Sequence, residues 1–162
     1  MLRSVLFSAI LLQAVGVAAA DNRSSFLKKV DVGRQRVIEV KTQAELYRMS
    51  GKDRINACTR FAAYQLSASC SGSDNEWSMT ASARFTPYTF LFRHDERLHE
   101  KLHVRDVQES AAHYLRELEA DRFENRSMCE SAAARAVRDF PRQMEQFVHA
   151  SDEKRHCSEL RK

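Results

Sequence analysis

The alternation of apolar and polar positions predicts strands in the first half of the chain. In residues 37–42 (VIEVKT) apolar and polar side chains largely alternate, as expected where successive side chains fall on opposite faces of a strand. Residues 77–85 (WSMTASARF) follow the same pattern, with the apolar set on odd positions, and we expect Pro87 to interrupt this strand. Residues 57–70 mix aromatic and small side chains, a pattern that fits either a strand or a helix, and of the two we favour a further strand. Residues 71–75 (SGSDN) predict a turn.

A helical periodicity replaces this alternation in the second half. Residues 95–123 predict one long helix, and Asn125 can cap a second, with a bend expected at Pro141. A short helix or a turn is also expected in AELYRMSGKD, ending at Gly51. The apolar positions include Leu98, Leu102, Leu115 and Leu118 in the first long helix and, at four-residue spacing, Met128, Ala132, Ala136, Phe140, Met144 and Val148 in the second.

Strands followed by two long helices indicate an α+β fold. We predict N-terminal antiparallel strands and, after them, two long helices packed as an antiparallel hairpin. Residues 21–162 suffice for one domain with a hydrophobic core, but not comfortably for two. We therefore treat them as a single domain.

The first twenty residues have the composition of a secretory signal peptide. Arg3 precedes an apolar run from Val5 to Val17, and small residues lead to Ala20 before the polar Asp21. We expect cleavage near Ala20 and a mature chain that is secreted or periplasmic. No later segment has the apolar length that a membrane span needs.

Export would place the four cysteines in an oxidising compartment, where disulfide bonds persist. Cys58, Cys70, Cys129 and Cys157 allow three pairings. We favour a bond between Cys58 and Cys70 and another between Cys129 and Cys157, because each bond would close a loop within one half of the chain. The spacing lacks the close pairs that a structural zinc site built from thiolates requires.

The charge pattern argues against a nucleic-acid partner. The chain has a net charge of +4 and a pI near 9.0, but basic and acidic residues are mixed in segments such as RHDERLHEK. Basic and aromatic residues are not interleaved in the way that single-stranded nucleic acid requires. Mixed charges of this kind are typical of a solvated surface.

The sequence HEKLH in the first predicted long helix is a candidate metal site. His99 and His103 are four residues apart, so a helix presents both imidazoles on one face, with Glu100 beside them. Zinc held by two histidines and one further protein ligand keeps an open position for water and makes that water acidic. Glu100 would be the general base that takes the proton and delivers it to the leaving amine.

An ordinary helix surface is the alternative interpretation of the same residues. Under it His99, Glu100 and His103 are solvated positions of a charged helix, while Leu98 and Leu102 face the core. The context favours the metal site, because the motif needs a helix and here it follows a well-defined strand in an exported chain.

Through HEKLH and the strand before it, the chain resembles the zincin metallopeptidases, and more narrowly small secreted bacterial proteins predicted to be zinc-dependent proteases. The resemblance covers about half of the mature chain. It implies a zincin-like fold, Zn²⁺ as cofactor, His99 and His103 as ligands, Glu100 as general base, and a peptide or protein as substrate. It also implies that the strand at residues 77–85 binds an extended peptide by edge pairing.

The motif leaves the third zinc ligand open. The metzincin pattern requires Gly at position 106 and His at position 109, where this chain has Asp106 and Glu109. In a gluzincin-like arrangement the ligand comes from the next helix. A hairpin that turns near residue 124 would place positions 145 and 149 opposite His103 and His99. The candidates are Glu145 and His149, with His156 behind them.

Two further residues extend the histidine stripe at helical spacing. Asp106 could hydrogen-bond a ligating imidazole, but residues such as Asp106 and His113 are more often partly exposed surface positions. The leading hypothesis is a secreted or periplasmic zinc metallopeptidase. A non-catalytic exported binding protein on a zincin-like scaffold is the alternative, and a disulfide-stabilised envelope protein without metal is the third hypothesis.

Overall fold

The computed structural model describes residues 25–51 and 55–155. The predicted signal peptide, His156 and Cys157 lie outside these residues. The main elements of the described part are, in chain order, β1 (Val30–Val32), β2 (Arg36–Glu39), α1 (Gln43–Ser50), β3 (Ala57–Ser73), β4 (Glu76–Leu91), α2 (Arg97–Ala120), β5 (Arg122–Phe123) and α3 (Arg126–Arg155).

Strand β4 is the centre of a five-stranded sheet. Strand β3 pairs antiparallel with one edge of β4, from Ala57 opposite Leu91 to Ser73 opposite Glu76. The second edge pairs in turn with β5, β1 and β2. The α+β class is confirmed, but β1 and β2 run parallel to β4, so the prediction of antiparallel N-terminal strands is wrong for these two.

Strand β4 continues through Pro87 to Leu91, although the sequence predicted an interruption. The Ala83 N–H donates, and the Phe85 and Leu91 carbonyls accept, hydrogen bonds on the second edge. Odd-numbered residues of β4 therefore direct their backbone groups to that edge. Pro87 falls between Phe85, the last residue paired with β1, and Tyr88, the first paired with β2. Its missing N–H faces a gap in the ladder, so the strand tolerates a proline.

Strand β3 contains a bulge between Ala62 and Gln65, where two residues of β3 oppose one residue of β4. Ala63 has a positive φ of 55° at this point. Before the bulge, odd-numbered residues such as Thr59 and Phe61 share the face of β3 that lies under the helices. After it, even-numbered residues take that face, because the extra residue shifts the alternation by one position.

Helices α2 and α3 pack on one face of the sheet and run antiparallel, as predicted. Early residues of α2 meet late residues of α3: His103 contacts Ser151, and Tyr114 stacks on Phe140. The main hydrophobic core lies between these helices and the alternating face of β4. Its buried members include Phe61, Ala81, Ala83, Phe85, Val107, Ala111, Leu115, Ala136, Phe140 and Met144.

The buried stripe of α2 differs from the predicted one. Leu98 is 73% exposed and Leu102 is 38% exposed, so the expectation that both face the core is wrong. In this part of the helix the buried residues are Glu100 and His103. Glu100 and His103 continue the buried stripe of Val107, Ala111 and Leu115. The sheet accommodates the polar Glu100 there because it presents Thr59, whose hydroxyl donates a hydrogen bond to the carboxylate.

Helix α1 packs on the opposite face, near one end of the sheet. The Thr42 hydroxyl caps it by accepting from the Glu45 N–H at 3.1 Å, and Gly51 ends it with a φ of 70°. The predicted short helix ending at Gly51 is confirmed. Its packing builds a second cluster, whose buried members are Val40, Leu46, Ile55, Cys58 and Phe90.

A disulfide bond joins Cys70 of β3 to Cys129 in the first turn of α3, with Cα atoms 6.1 Å apart. The predicted pairings of Cys58 with Cys70 and of Cys129 with Cys157 are both wrong, because Cys70 and Cys129 are bonded to each other. Cys58 and Cys70 lie on one strand, roughly 40 Å apart along the extended chain, while a disulfide needs Cα atoms within about 7 Å. Cys58 is buried near the opposite end of β3.

Helix α3 begins as predicted. The side-chain oxygen of Asn125 accepts from the Met128 N–H at 2.9 Å, and the helix continues through Pro141 to Arg155. Across residues 25–51 and 55–155, none of the helices combines the length and the apolar character needed to cross a membrane.

Candidate metal centre

The first turns of α2 bring three possible metal ligands together. A 3-10 turn at His94–Glu96 leads from β4 into the helix, which then presents His99, Glu100 and His103. One ligand atom from each of these side chains lies within 4.8 Å of the other two. The group can hold a metal ion, because imidazole nitrogens and carboxylate oxygens are common ligands of divalent transition metals.

The group lies in the interface between helix and sheet. Glu100 is 0% exposed and His103 is 2% exposed, while His99 is partly buried. The two imidazole rings meet edge to face, with centroids 5.1 Å apart. The alternative interpretation, in which all three residues are solvated positions, is therefore wrong.

A chain of hydrogen bonds holds Glu100 from the sheet side. The Thr59 hydroxyl donates to Glu100 Oε2 at 2.8 Å, and Thr59 Oγ1 lies 2.8 Å from Thr89 Oγ1 on the neighbouring strand. The Gln35 side-chain amide donates to Thr89 Oγ1 at 2.6 Å. Because Thr89 accepts from Gln35 and Thr59 donates to Glu100, the hydroxyl hydrogen of Thr89 is available to Thr59. The three hydrogen bonds then run in one direction, from Gln35 through Thr89 and Thr59 to the carboxylate.

The second oxygen of Glu100 differs from the first. Oε1 is buried and has no hydrogen-bond partner among the described residues. A buried polar atom without a partner lowers stability, and natural structures contain few of them. Fixing one oxygen and leaving the other available is an arrangement suited to proton transfer or metal binding.

Burial raises the pKa of the Glu100 carboxyl from its ordinary value of 4.5 to about 7. The hydrogen bond from Thr59 and the charge of His99 oppose this rise in pKa. The nearby carboxylates of Asp152 and Glu96 add to it. Desolvation is the largest effect, so the site disfavours the negative charge of Glu100.

On the other side of the group, helix α3 contacts His103. The Nδ1 atom of His103 lies 3.0 Å from Ser151 Oγ and 3.6 Å from Asp152 Oδ1. The Ser151 hydroxyl in turn donates to Asp106 Oδ2 at 3.5 Å. Asp106, which the sequence suggested as a partner of a ligating imidazole, thus reaches His103 through Ser151.

The structure does not bring the expected third ligands to this group. Glu145 and His149 are on the exposed side of α3, where His149 lies 3.5 Å from Glu153. The predicted registry assumed a turn near residue 124, but the contacts between the helices show that α3 is displaced along α2. His103 meets Ser151 and Asp152, and Tyr114 stacks on Phe140, so His103 faces residues 151 and 152 rather than residue 145. His156 lies outside the described residues.

His113 also lies apart from the group. Its side chain is 57% exposed, and its Nδ1 atom lies 3.4 Å from Glu117 Oε1 on the next turn. The surface interpretation of His113 is thus supported by its exposure and its position beside Glu117.

Sequence reasoning missed the residues that surround the motif. Thr89 had a readable signal, because it continues the buried odd-numbered face of β4 and is polar. Thr59, Gln35, Ser151 and Asp152 had none. Their roles depend on strand pairing and helix registry, which connect positions far apart in the chain.

A groove of about 580 Å³ opens beside the group, between α2, α3 and the segment before β1. Asp106 and Ser151 line it on the side of His103, and Phe26, Tyr114 and Phe147 supply apolar walls. The hydrogen-bonded partners of His103 therefore border a space large enough for a side chain or a small ligand.

Neighbouring strands cover most of the strand at residues 77–85. Strand β3 pairs with one edge along the whole stretch, and on the other edge β5 pairs with residues 77–78 and β1 with residues 83–85. Among the described residues no strand pairs with residues 79–82 on that second edge, where the Ala81 N–H donates to the Glu119 side chain. The edge pairing that the family resemblance implied therefore stays a prediction, with at most these four positions available to a peptide strand.

Comparison of the chain with protein-family models, with curated proteins and with solved structures finds no match. The geometry of the site, together with the sequence motif, is therefore the basis for assigning a function.

Proposed function

We propose that this protein is an exported, zinc-dependent peptidase that uses Glu100 as its general base. The observation that carries the proposal is the convergence of His99, Glu100 and His103, whose ligand atoms lie within 4.8 Å of one another. Sequence spacing alone requires only that the two imidazoles share a helix face. The convergence of the Glu100 carboxylate on the same point is an additional fact of the packing.

The donor set fits zinc. Two imidazole nitrogens are frequent ligands of catalytic zinc, and a carboxylate beside them supplies negative charge or takes up protons. The buried Glu100 Oε1 atom, which lacks a hydrogen-bond partner among the described residues, is where such a proton would be accepted. Zinc bound by these imidazoles would act as a Lewis acid that polarises a carbonyl group and lowers the pKa of water.

Thr59 and Glu100 have separate roles in the proposed reaction. Thr59 fixes Glu100 Oε2 and thereby sets the direction of Oε1. Glu100 takes a proton from the attacking water at Oε1 and returns it to the nitrogen of the departing amine, so that one peptide bond breaks and one water molecule is consumed. The disulfide between Cys70 and Cys129 agrees with an oxidising, secreted or periplasmic location.

The first experiment measures zinc by elemental analysis on the purified, oxidised mature chain. We expect about one zinc per chain in the wild type and none in His99→Ala/His103→Ala. His113→Ala is the matched control, since it removes an exposed histidine from the same helix and should leave the zinc content unchanged. Absence of zinc from the wild type after reconstitution would overturn the proposal.

The second experiment separates catalysis from metal binding. Glu100→Gln keeps the size of the side chain and should retain zinc, while hydrolysis of a mixture of quenched fluorescent peptides should fall at least about 100-fold. Equal rates of hydrolysis in the wild type and the Glu100→Gln variant would contradict the role of Glu100.

The burial of Glu100 and His103 favours a second candidate, a non-catalytic exported binding protein that holds a metal ion for stability. A site in which Glu100 and His103 are buried and only His99 is partly exposed leaves little room for a peptide carbonyl. This candidate predicts a zinc-loaded wild type that cleaves no peptide and a Glu100→Gln variant with unchanged partner binding. Peptide hydrolysis that depends on Glu100 would exclude it.

A further inference from the structure

A small group of side chains in the interface between α2 and α3 sets the orientation of His103. Its Nδ1 atom faces two oxygens of α3, Ser151 Oγ at 3.0 Å and Asp152 Oδ1 at 3.6 Å. Both His103 and Ser151 are buried, with exposures of 2% and 4%. The Ser151 contact is therefore protected from bulk water, while the Asp152 side chain is partly exposed. Together the two contacts favour one orientation of the imidazole.

The groups around Nδ1 favour one tautomer of His103. An ionised carboxylate only accepts hydrogen bonds, and a serine hydroxyl has a single hydrogen to donate. Ser151 can donate that hydrogen to Asp106 Oδ2 at 3.5 Å, which leaves its oxygen to accept from His103. The neighbouring Asp152 carboxylate favours a proton on the same nitrogen. This arrangement favours a hydrogen on Nδ1 and leaves the lone pair on Nε2.

We propose that Ser151 and Asp152 are positioning residues, which hold His103 as the Nδ1–H tautomer and so prepare Nε2 to ligate the metal. The inference rests on the proposed function for its purpose, though the tautomer itself can be tested without metal. An acceptor on the non-ligating nitrogen fixes the ring and makes the ligating nitrogen more basic. The end of α3 would then control the metal affinity of a site that lies on α2.

The same geometry gives Asp152 a role that differs from that of a third ligand. Its carboxylate lies beside Nδ1, the nitrogen that is already bonded to Ser151, whereas the metal would bind the opposite nitrogen of the ring. Asp152 thus acts through His103. Removing it should weaken metal binding without abolishing it, in contrast to the removal of His103.

The tautomer is measured on the metal-free wild-type protein by long-range ¹H–¹⁵N correlation NMR of the histidine side chains. We expect the His103 Nδ1 atom to show the chemical shift of a protonated nitrogen and Nε2 that of an unprotonated one. In Ser151→Ala/Asp152→Asn the population of this tautomer should fall. A wild-type His103 with its hydrogen on Nε2 would overturn the inference without any variant.

The consequence for metal binding is measured as the zinc dissociation constant, by competition with a chromophoric chelator. The Ser151→Ala/Asp152→Asn variant should bind zinc about 10- to 100-fold more weakly than the wild type. Ser131→Ala/Asp139→Asn is the matched control, because it makes the same chemical changes at exposed positions of the same helix. Its dissociation constant should stay within about twofold of the wild-type value.

The outcomes distinguish this inference from the proposed function. A wild type that binds zinc and cleaves peptides, with the same zinc affinity in the Ser151→Ala/Asp152→Asn variant, overturns the positioning role alone. A wild type that binds no zinc overturns the proposed function, and the NMR measurement still decides the tautomer. Far-ultraviolet circular dichroism of each variant establishes that lost affinity is not lost folding.

Discussion

Glu100 occupies a position that a helix packed on a sheet would normally fill with an apolar side chain. Further along the same buried stripe of α2 lie Val107, Ala111 and Leu115. Burial disfavours the charged form of a carboxyl group more than its neutral form. The folded, metal-free protein therefore holds a proton on Glu100 at pH values where the unfolded chain has lost it.

This difference predicts how the stability of the metal-free protein depends on pH. With a pKa near 4.5 in the unfolded chain and about 7 in the folded protein, Glu100 binds more protons in the folded state between these values. Its contribution to the free energy of unfolding is fully present below pH 4.5, falls as the pH rises through this range, and levels off above pH 7. The total change is about 3 kcal/mol.

The measurement compares urea unfolding of wild type and Glu100→Gln at several pH values in the presence of a chelator. As the pH rises from 4.5 to 7, the unfolding free energy of the wild type should fall relative to that of Glu100→Gln, because glutamine does not titrate. A difference that stays constant over this range would show that burial does not raise the pKa of Glu100.

The elements of the fold were largely predictable, while their faces and partners were less so. The alternation in residues 77–85 correctly indicated the strand and its buried face, and the Asn125 cap correctly indicated the start of α3. The face of α2 was misassigned because its leucines are at the same helical spacing as its histidines. Which stripe is buried depends on packing against other elements, such as β3, which supplies Thr59.

The corrected face of α2 predicts unequal effects for the same substitution along one helix. Leu115→Ala should lower the free energy of unfolding by about 2 to 5 kcal/mol, because Leu115 is fully buried in the main core. Leu98→Ala should change it by less than about 0.5 kcal/mol, because Leu98 is 73% exposed. Urea unfolding at one pH measures both, and equal losses would mean that Leu98 is buried after all.

At the scale of the whole molecule, the chain is tied together by contacts between its distant parts. The Cys70 to Cys129 bond connects the β3–β4 hairpin to the start of α3 across 59 residues of sequence. Lys29 and Glu119 form an ion pair at 2.5 Å, and Glu119 also accepts from the Ala81 N–H at 2.7 Å. Such pairings were not predictable from spacing, because they follow from strand order and helix registry rather than from local pattern.

Removal of the disulfide should destabilise the folded protein. Cys70→Ala/Cys129→Ala releases a long loop in the unfolded chain and should lower the free energy of unfolding by about 2 to 4 kcal/mol. Urea unfolding with and without a reductant supplies the control. The reductant should destabilise the wild type by a similar amount and leave the variant unchanged, and a wild type insensitive to complete reduction would contradict the prediction.

The bulge in β3 also has a consequence for recognising related chains. Because one extra residue reverses which side chains face α2, a relative that lacks it would present the neighbour of Thr59, Cys58 or Arg60, to the carboxylate instead. An alignment gap of a single position in this strand therefore matters more than many substitutions. Homologues that keep the HEKLH helix should keep a hydroxyl residue at the position of Thr59, with the same number of residues between it and the hairpin turn.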